Sequence, residues 1–542
     1  MVKLRFPWGR KKKTVEVRTE AAREEQVIDS DTMAYERLMG LRTEYKILES
    51  YPLINPWARA LILERKSDGS VLYYVDEIPL TAEEKKLYEK VNDILYWELE
   101  PPPKDKDPQE HFREQVSKII KKFRLRFSQT IHPSISWQKI EYYINRNNIE
   151  YGPITPLMKD PAIEDISCDG VGRPIYVWHQ KYESIPTNIK FTNDDELDDL
   201  VVKLAHKAGK HVSVAFPIID AILPEGHRLA ATYRREVSRD GSTFTIRKFR
   251  EKPLSIVDLV IGGTLSDLLA AYFWKVMEFN MTGLIMGVTG AGKTTLLNAL
   301  ATLLRPTIKI VTIEDTPELK LTHENWVQLY SRPSYGFEGR MGEITLYDLV
   351  RVSLRYRPDV IIVGEVRGEE AKVLFQAIAT GHGGITTIHA EHIDAAVKRL
   401  TSPPMEIPPG YIPLVNFAIA IKRVRIPIGP DNYKVERRVT EVWEIRDYDD
   451  YNIVARWDAA SREHHVYLED SILLPRIAEM TGLSLDSVIE DVLRRQKIIK
   501  WMAYRRVTNY QQVASIINEY YRRAGQLLRK VESELPRFES YT

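Results

Sequence analysis

The 542-residue sequence has one cysteine, Cys168, and a lone thiol excludes an intramolecular disulfide or a cysteine-rich zinc module. Long apolar runs are missing too. No stretch reaches the roughly 18 residues that a membrane-spanning helix needs, and the opening MVKLRFPWGRKKKTVEVR has no apolar core of the secretory-signal kind. Both absences predict a chain that stays in a reducing cytoplasm. An excess of one charge sign is also lacking, with 77 Lys plus Arg against 76 Asp plus Glu and a net charge of +1. That balance argues against holding nucleic acid by bulk electrostatics. With 44% hydrophobic and 28% charged residues the composition is globular rather than disordered. The length leaves room for three or four domains of roughly 150 residues.

Composition shifts divide the chain. Residues 1–100 read as a charged amino-terminal module, in which WARALILER (57–65) and VLYYVDEI (71–78) flank turn residues in the pattern of a hairpin. The prolines and alternating charges of 101–108 predict a stiff, solvated linker. Residues 109–250 join a helical segment to short alternating stretches, the mark of an α+β domain, and a hinge over 251–262 opens with EKPLS. From 263 to 465, apolar strands alternate with amphipathic helices, which implies an α/β domain with a largely parallel sheet. Residues 466–542 read as helical, with Ser484 as N-cap before a stripe of Leu485, Val488, Ile489, Val492 and Leu493.

Residues 287–294, GVTGAGKT, match the phosphate-loop pattern G-x-x-x-x-G-K-[ST] between an apolar strand and a helix. Gly287, Gly290 and Gly292, with Ala291 between them, let backbone N–H groups and the helix start face an anion. Lys293 reaches terminal phosphates, Thr294 offers a hydroxyl to Mg²⁺, and Thr295 continues the first turn. Three further elements follow. IKIVTIEDTPEL (308–319) sets Glu314, Asp315 and Glu318 past a strand end, where they either handle a water or, for Asp315, cap a helix. DVIIVGEVR (359–367) ends in Glu365, which either serves Mg²⁺ and the attacking water or is a solvated carboxylate. TGHGGITTIHAEH (380–392) carries His382, His389 and His392 with Glu391; these residues either sense a γ-phosphate, begin a zinc site or have no chemistry.

This succession, with the Asp box IEDTPE, the glutamate-ending Walker B strand and the His box in order behind the phosphate loop, resembles the type II/IV secretion ATPase superfamily. The segments YGPITPLMKDPAIEDI (151–166) and LPEGHRLAATY (223–233) resemble the amino-terminal domain of those motors, and the two chain ends are similar to archaeal members. The resemblance implies a RecA-like P-loop ATPase core preceded by an α+β domain, ATP with Mg²⁺, and a homo-hexamer that powers a pilus-like filament, archaellum or secretion machine. It gives Lys293 and Thr294 to phosphate and metal, Glu314 or Glu365 to the water, and His382 and His389 to the γ-phosphate. It also implies an arginine sent toward a neighbour's nucleotide, for which Arg228, Arg234 and Arg247 are candidates, with Arg367 as a source in cis.

The implied partner is a polytopic platform protein at the cytoplasmic face of the membrane, with no nucleic acid. The tail 491–542, with 11 Lys plus Arg against 5 Asp plus Glu, and the tip MVKLRFPWGRKKK are candidate contacts for that platform or for acidic lipid. A DNA-translocating or conjugation-type motor would share every nucleotide motif.

Overall fold

The computed structural model describes residues 39–103, 105–127, 132–250, 252–332, 342–427, 429 and 433–534. The chain forms two compact units, one running to Phe249 and the other beginning at Arg250.

The first unit is built on a nine-stranded sheet in the order β1-β2-β3-β6-β5-β4-β9-β8-β7. Its strands are β1 (Tyr45–Ile54), β2 (Ala58–Arg65), β3 (Val71–Glu77), β4 (Ile163–Cys168), β5 (Pro174–His179), β6 (Glu183–Lys190), β7 (Ile218–Ile222), β8 (Arg228–Thr232) and β9 (Thr243–Arg247). β2 and β3 form the expected hairpin. An isolated two-stranded hairpin is marginal in water, and here it is not left alone. Ala60, Ile62, Tyr73 and Val75 share one core with Leu157, Ile185 and Leu200, and the Tyr73 hydroxyl donates to the buried carboxylate of Asp160 at 2.5 Å. The expected separate module at 1–100 is therefore corrected, because its described strands complete the neighbouring sheet. The expected linker likewise joins two parts of one core. Helices Ala82–Glu98, Pro108–Lys122 and Pro133–Ile144 pack Val91, Leu95, Val116, Ile119, Ile140 and Ile144 together.

The second unit has the sheet order β12-β11-β13-β14-β10-β15-β16-β17-β18. The strands are β10 (Gly283–Met286), β11 (Ile310–Glu314), β12 (Trp326–Tyr330), β13 (Val360–Val363), β14 (Gly383–Ile388), β15 (Phe417–Pro427), β16 (Tyr433–Asp447), β17 (Asp450–Asp458) and β18 (Glu463–Val466). β10 to β15 pair in parallel, and β15 to β18 form an antiparallel extension. Every residue of β10, β11, β13 and β14 is buried, as expected of a parallel sheet covered on both faces. One face packs on helices Asp267–Glu278 and Lys293–Ala301, the other on Glu370–Ala379 and Ile393–Thr401.

The second half of the expected hinge is a helix, Ile256–Ile261, capped by Ser255 and anchored by Ile256 and Val257 in the second unit's core. The carboxyl-terminal helices belong to that core as well. Ser484 caps Leu485–Tyr504 by accepting from the Ser487 N–H, and Val488 and Val492 are fully buried. Leu493, the last residue of the expected stripe, is instead 41% exposed. Arg495 is buried against Glu278 and Asp491, so part of the tail's positive charge is neutralised internally. The basic tip at 1–13 lies outside the described residues.

Candidate active site

The parallel strands deliver their carboxyl ends to one edge of the sheet, where ligands of open α/β folds collect. The loop after β10 runs from Gly287 to Gly292 and enters helix Lys293–Ala301. Gly290 and Gly292 hold φ values of +74° and +98°, a left-handed backbone that side chains other than glycine rarely adopt. At Gly287 the constraint is space, since a Cβ there would lie 2.6 Å from the Ile421 carbonyl oxygen. Ala291 is fully buried and its N–H closes the turn onto the Val288 carbonyl at 3.2 Å. Thr294 and Thr295 follow, half-buried, in the first helical turn.

Lys293 is buried, and its Nζ donates to the carbonyls of Gly287 (2.9 Å) and Val288 (3.2 Å) and to His389 Nδ1 (3.2 Å). An ammonium has no acceptor capacity, so His389 Nδ1 accepts and the ring proton sits on Nε2. That Nε2 lies 2.7 Å from Glu365 Oε1, but the pair is misaligned for a hydrogen bond, leaving this carboxylate oxygen buried without a donor among the described residues. Glu365 Oε2 accepts from Arg367 Nη2 at 2.5 Å. Lysine, imidazole, carboxylate and guanidinium thus form a row across the ends of β10, β14 and β13. Burial and the adjacent Lys293 charge push the pKa of His389 below the ordinary 6.5, against the opposing pull of Glu365. The turn carrying Glu365 is tied to β14, with the Thr387 hydroxyl donating to the Gly364 carbonyl at 2.8 Å and the Val366 N–H to the Thr387 carbonyl at 3.0 Å.

Glu314, one strand further along, is differently employed. Its Oε2 accepts from the backbone N–H groups of Glu318 (2.7 Å) and Leu319 (2.8 Å), and its Oε1 from Gln328 (3.0 Å). Burial raises its pKa, and those hydrogen bonds offset part of the rise. The residue ties down the turn after β11 instead of facing the loop. Asp315 caps no helix, because none follows it; it is exposed and accepts from the Ser331 hydroxyl at 3.1 Å.

His382 is a correction. It precedes β14 whereas His389 follows it, and a six-residue strand spans about 20 Å, so the two histidines lie at opposite edges of the sheet. His382 Nδ1 donates to the Ala377 carbonyl at 3.0 Å, closing the end of helix Glu370–Ala379. Within its own chain it is too far from the loop to respond to a phosphate there. His392 begins helix Ile393–Thr401 without capping it through its side chain. Among the described residues, no three His, Cys, Asp or Glu side chains converge as metal ligands.

The candidate arginines all lie in the first unit. Arg228 makes two bonds to Asp220 (3.2 and 2.8 Å), Arg234 bonds Asp198 (3.0 Å), and Arg247 faces Asp165 at 3.8 Å. Arg228 and Arg247 stand directly opposite each other on β8 and β9.

Sequence reading missed two residues at the loop itself. Arg437 on β16 donates from Nε to the Gly290 carbonyl at 3.2 Å, and Arg423 stands opposite it on β15. The available signal was the alternation of IKRVRIP and KVERRV, whose strand period places Arg423 and Arg425 on one face.

The profile of the Type II/IV secretion system protein family matches residues 147–412, a span that holds the loop, both glutamates and all three histidines. An uncharacterized protein of Methanocaldococcus jannaschii is 37% identical over 393 residues, 71% of this chain and 70% of its own. Conjugal transfer protein TrbB of Rhizobium radiobacter is 30% identical over 276 residues, 50% of this chain and 79% of its own. The solved structure of the Legionella pneumophila ATPase DotB aligns with 66% of this chain and 91% of its own at 19% identity and a TM-score of 0.38, a likeness too loose to add to the sequence relationship. On that relationship the chain belongs to the type II/IV secretion ATPase family.

Proposed function

We propose that the chain is an ATP-hydrolysing motor that works as a ring of six at the cytoplasmic face of a membrane and powers a pilus-like filament, an archaellum or a secretion machine. The observation that carries this reading is the row from Lys293 through His389 to Glu365, set on a glycine loop whose backbone is already bent to receive an anion. The Lys293 ammonium rests on two carbonyls and an imidazole, acceptors that phosphate oxygens would replace. Glu365 Oε1, buried and without a donor among the described residues, is the base that would take a proton from the water attacking the γ-phosphorus as the bond to the leaving β-phosphate oxygen breaks. Glu314, its oxygens already engaged, supports the turn beside it.

The Thr294 hydroxyl, half-buried in the first turn after the loop, and the Glu365 carboxylate are hard-oxygen donors of the kind that Mg²⁺ takes. Mg²⁺ held there would supply positive charge against the charge on the phosphates. One arginine among Arg228, Arg234 and Arg247 would complete a neighbouring subunit's site; Arg247, with the longest ion pair of the three, is the first to test. No helix among the described residues is long and apolar enough to cross a membrane. A platform protein is the proposed partner, with acidic lipid a further contact for the tip at 1–13.

The test is steady-state ATP turnover with Mg²⁺. Lys293→Ala should abolish it, because phosphoryl transfer rests on positioning and electrostatic stabilisation, and turnover near the wild-type rate in that variant would overturn the assignment. A conjugation-type traffic motor is the second reading, favoured by the TrbB relative. Hydrolysis stimulated by DNA, with a steep salt dependence, would select it.

A further inference from the structure

The loop's carbonyls are held from several directions. Gly287 and Val288 accept from Lys293 Nζ, Val288 also from the Ala291 N–H, and Gly292 from the Leu296 N–H. Those donors all belong to the strand–loop–helix segment itself. The bond to the Gly290 carbonyl comes from Arg437, 147 residues away in sequence. Its side chain also crosses Gly292, where an added Cβ would meet Arg437 Cδ at 3.1 Å. β15 pairs with β10 from Phe417 to Ala420 and then runs on to Pro427. It carries β16 with it, so this antiparallel extension flanks the loop on its outer side. Arg423 lies on that extension too, 3.8 Å from the position of a Gly290 Cβ.

We propose that Arg437 is a positioning residue for nucleotide binding. By taking the Gly290 carbonyl from outside and lying across Gly292, it fixes the left-handed turns that point the loop's N–H groups inward at the phosphates. Arg423 adds positive potential from the same chain. The first grip on the phosphates is then complete within one subunit, and an arginine from a neighbour is left to act in turnover. This inference rests on the nucleotide reading above.

The test measures equilibrium affinity and release rate for a fluorescent ATP analogue with Mg²⁺ on the full chain, alongside the thermal midpoint and the split between KM and kcat. Arg437→Ala should weaken affinity about tenfold, the loss of one charged hydrogen bond, mainly through faster release, with KM rising more than kcat falls. Arg437→Lys, which keeps one donor, should recover most of the affinity. Arg423→Ala should weaken binding by about threefold and flatten its salt dependence.

If the wild type binds the analogue and Lys293→Ala does not, the nucleotide reading stands on its own. Affinity within twofold of wild type in Arg437→Ala would then overturn the positioning role alone. If Arg437→Ala does not fold, Arg437→Met, which keeps the apolar stem and removes the donor, takes its place. Affinity within twofold of wild type in that variant, together with unchanged affinity and salt dependence in Arg423→Ala, would overturn the proposal.

Discussion

The ends of β11 and β13 lie side by side, each carries a glutamate, and the fold employs the two carboxylates in opposite ways. Glu314 is 3% exposed with both oxygens bonded, two backbone N–H groups on one and an amide on the other. Among the described residues, Glu365 keeps one buried oxygen without a donor, 2.7 Å from an imidazole that touches the loop lysine. A carboxylate whose lone pairs are spent on N–H donors stabilises a turn, whereas the other keeps a lone pair open, among the described residues, at the strand ends that carry the loop. The two ends of β14 repeat the contrast in histidines. His382 closes a helix end at one end of the strand, while His389 accepts from the loop lysine at the other.

Substitution can break this contrast. The largest effect is expected from Glu365→Gln, which keeps the shape of the side chain and loses the base. Turnover should fall about 10²-fold or more while the affinity for an ATP analogue stays close to wild type. Equal turnover would move the base elsewhere. Glu314→Gln should act on the fold instead. Its amide nitrogen would confront either the Glu318 and Leu319 N–H groups or the Gln328 amide, at a cost of about 1–3 kcal/mol. That loss is read as a lower midpoint in chemical denaturation, and an unaltered midpoint would contradict the structural role.

pH sharpens the comparison of the histidines. The pKa of His389 in the fold lies below its ordinary 6.5, so as pH falls the unfolded chain takes up that proton first. The stability tied to its neutral form is whole above 6.5 and is lost as pH falls through the shifted value. Protonation also removes the acceptor for Lys293. The acid limb of the kcat/KM profile should therefore have its midpoint below 6.5, and His389→Gln should displace or abolish that limb. The smallest effect is expected at His382, whose carbonyl bond contributes about 1 kcal/mol. His382→Ala should lower the thermal midpoint slightly and leave turnover of a single chain within about twofold. A large loss of turnover there, with the fold intact, would return a catalytic role to this histidine.

Much of the site was legible because the chemistry is local. Eight consecutive residues specify the loop, and the buried runs before it, before Glu314 and before Glu365 announce parallel strands whose ends share one edge. The Ser484 cap and the β2–β3 hairpin were readable for the same reason, since each depends on neighbours a few residues away. His382 was misplaced because a histidine-rich box looks like one cluster in sequence, whereas a six-residue strand inside it separates its ends by the length of that strand. Arg437 escaped notice because nothing near it in sequence points to Gly290.

The sequence by itself determined the local order of this protein, namely where the phosphate loop bends, which strands are buried on both faces and which helices are capped, because propensity, periodicity and glycine chemistry act over a few residues. Only the tertiary structure decided that, among the described residues, Glu365 and not Glu314 keeps an open oxygen, that His389 and not His382 reaches the lysine, that β1–β3 complete the first unit's sheet, and that a distant arginine holds the loop. Each of those outcomes is a matter of which polar groups meet once the strands pair. Pairing partners are chosen by the burial of whole faces and not by the residues beside them in the chain.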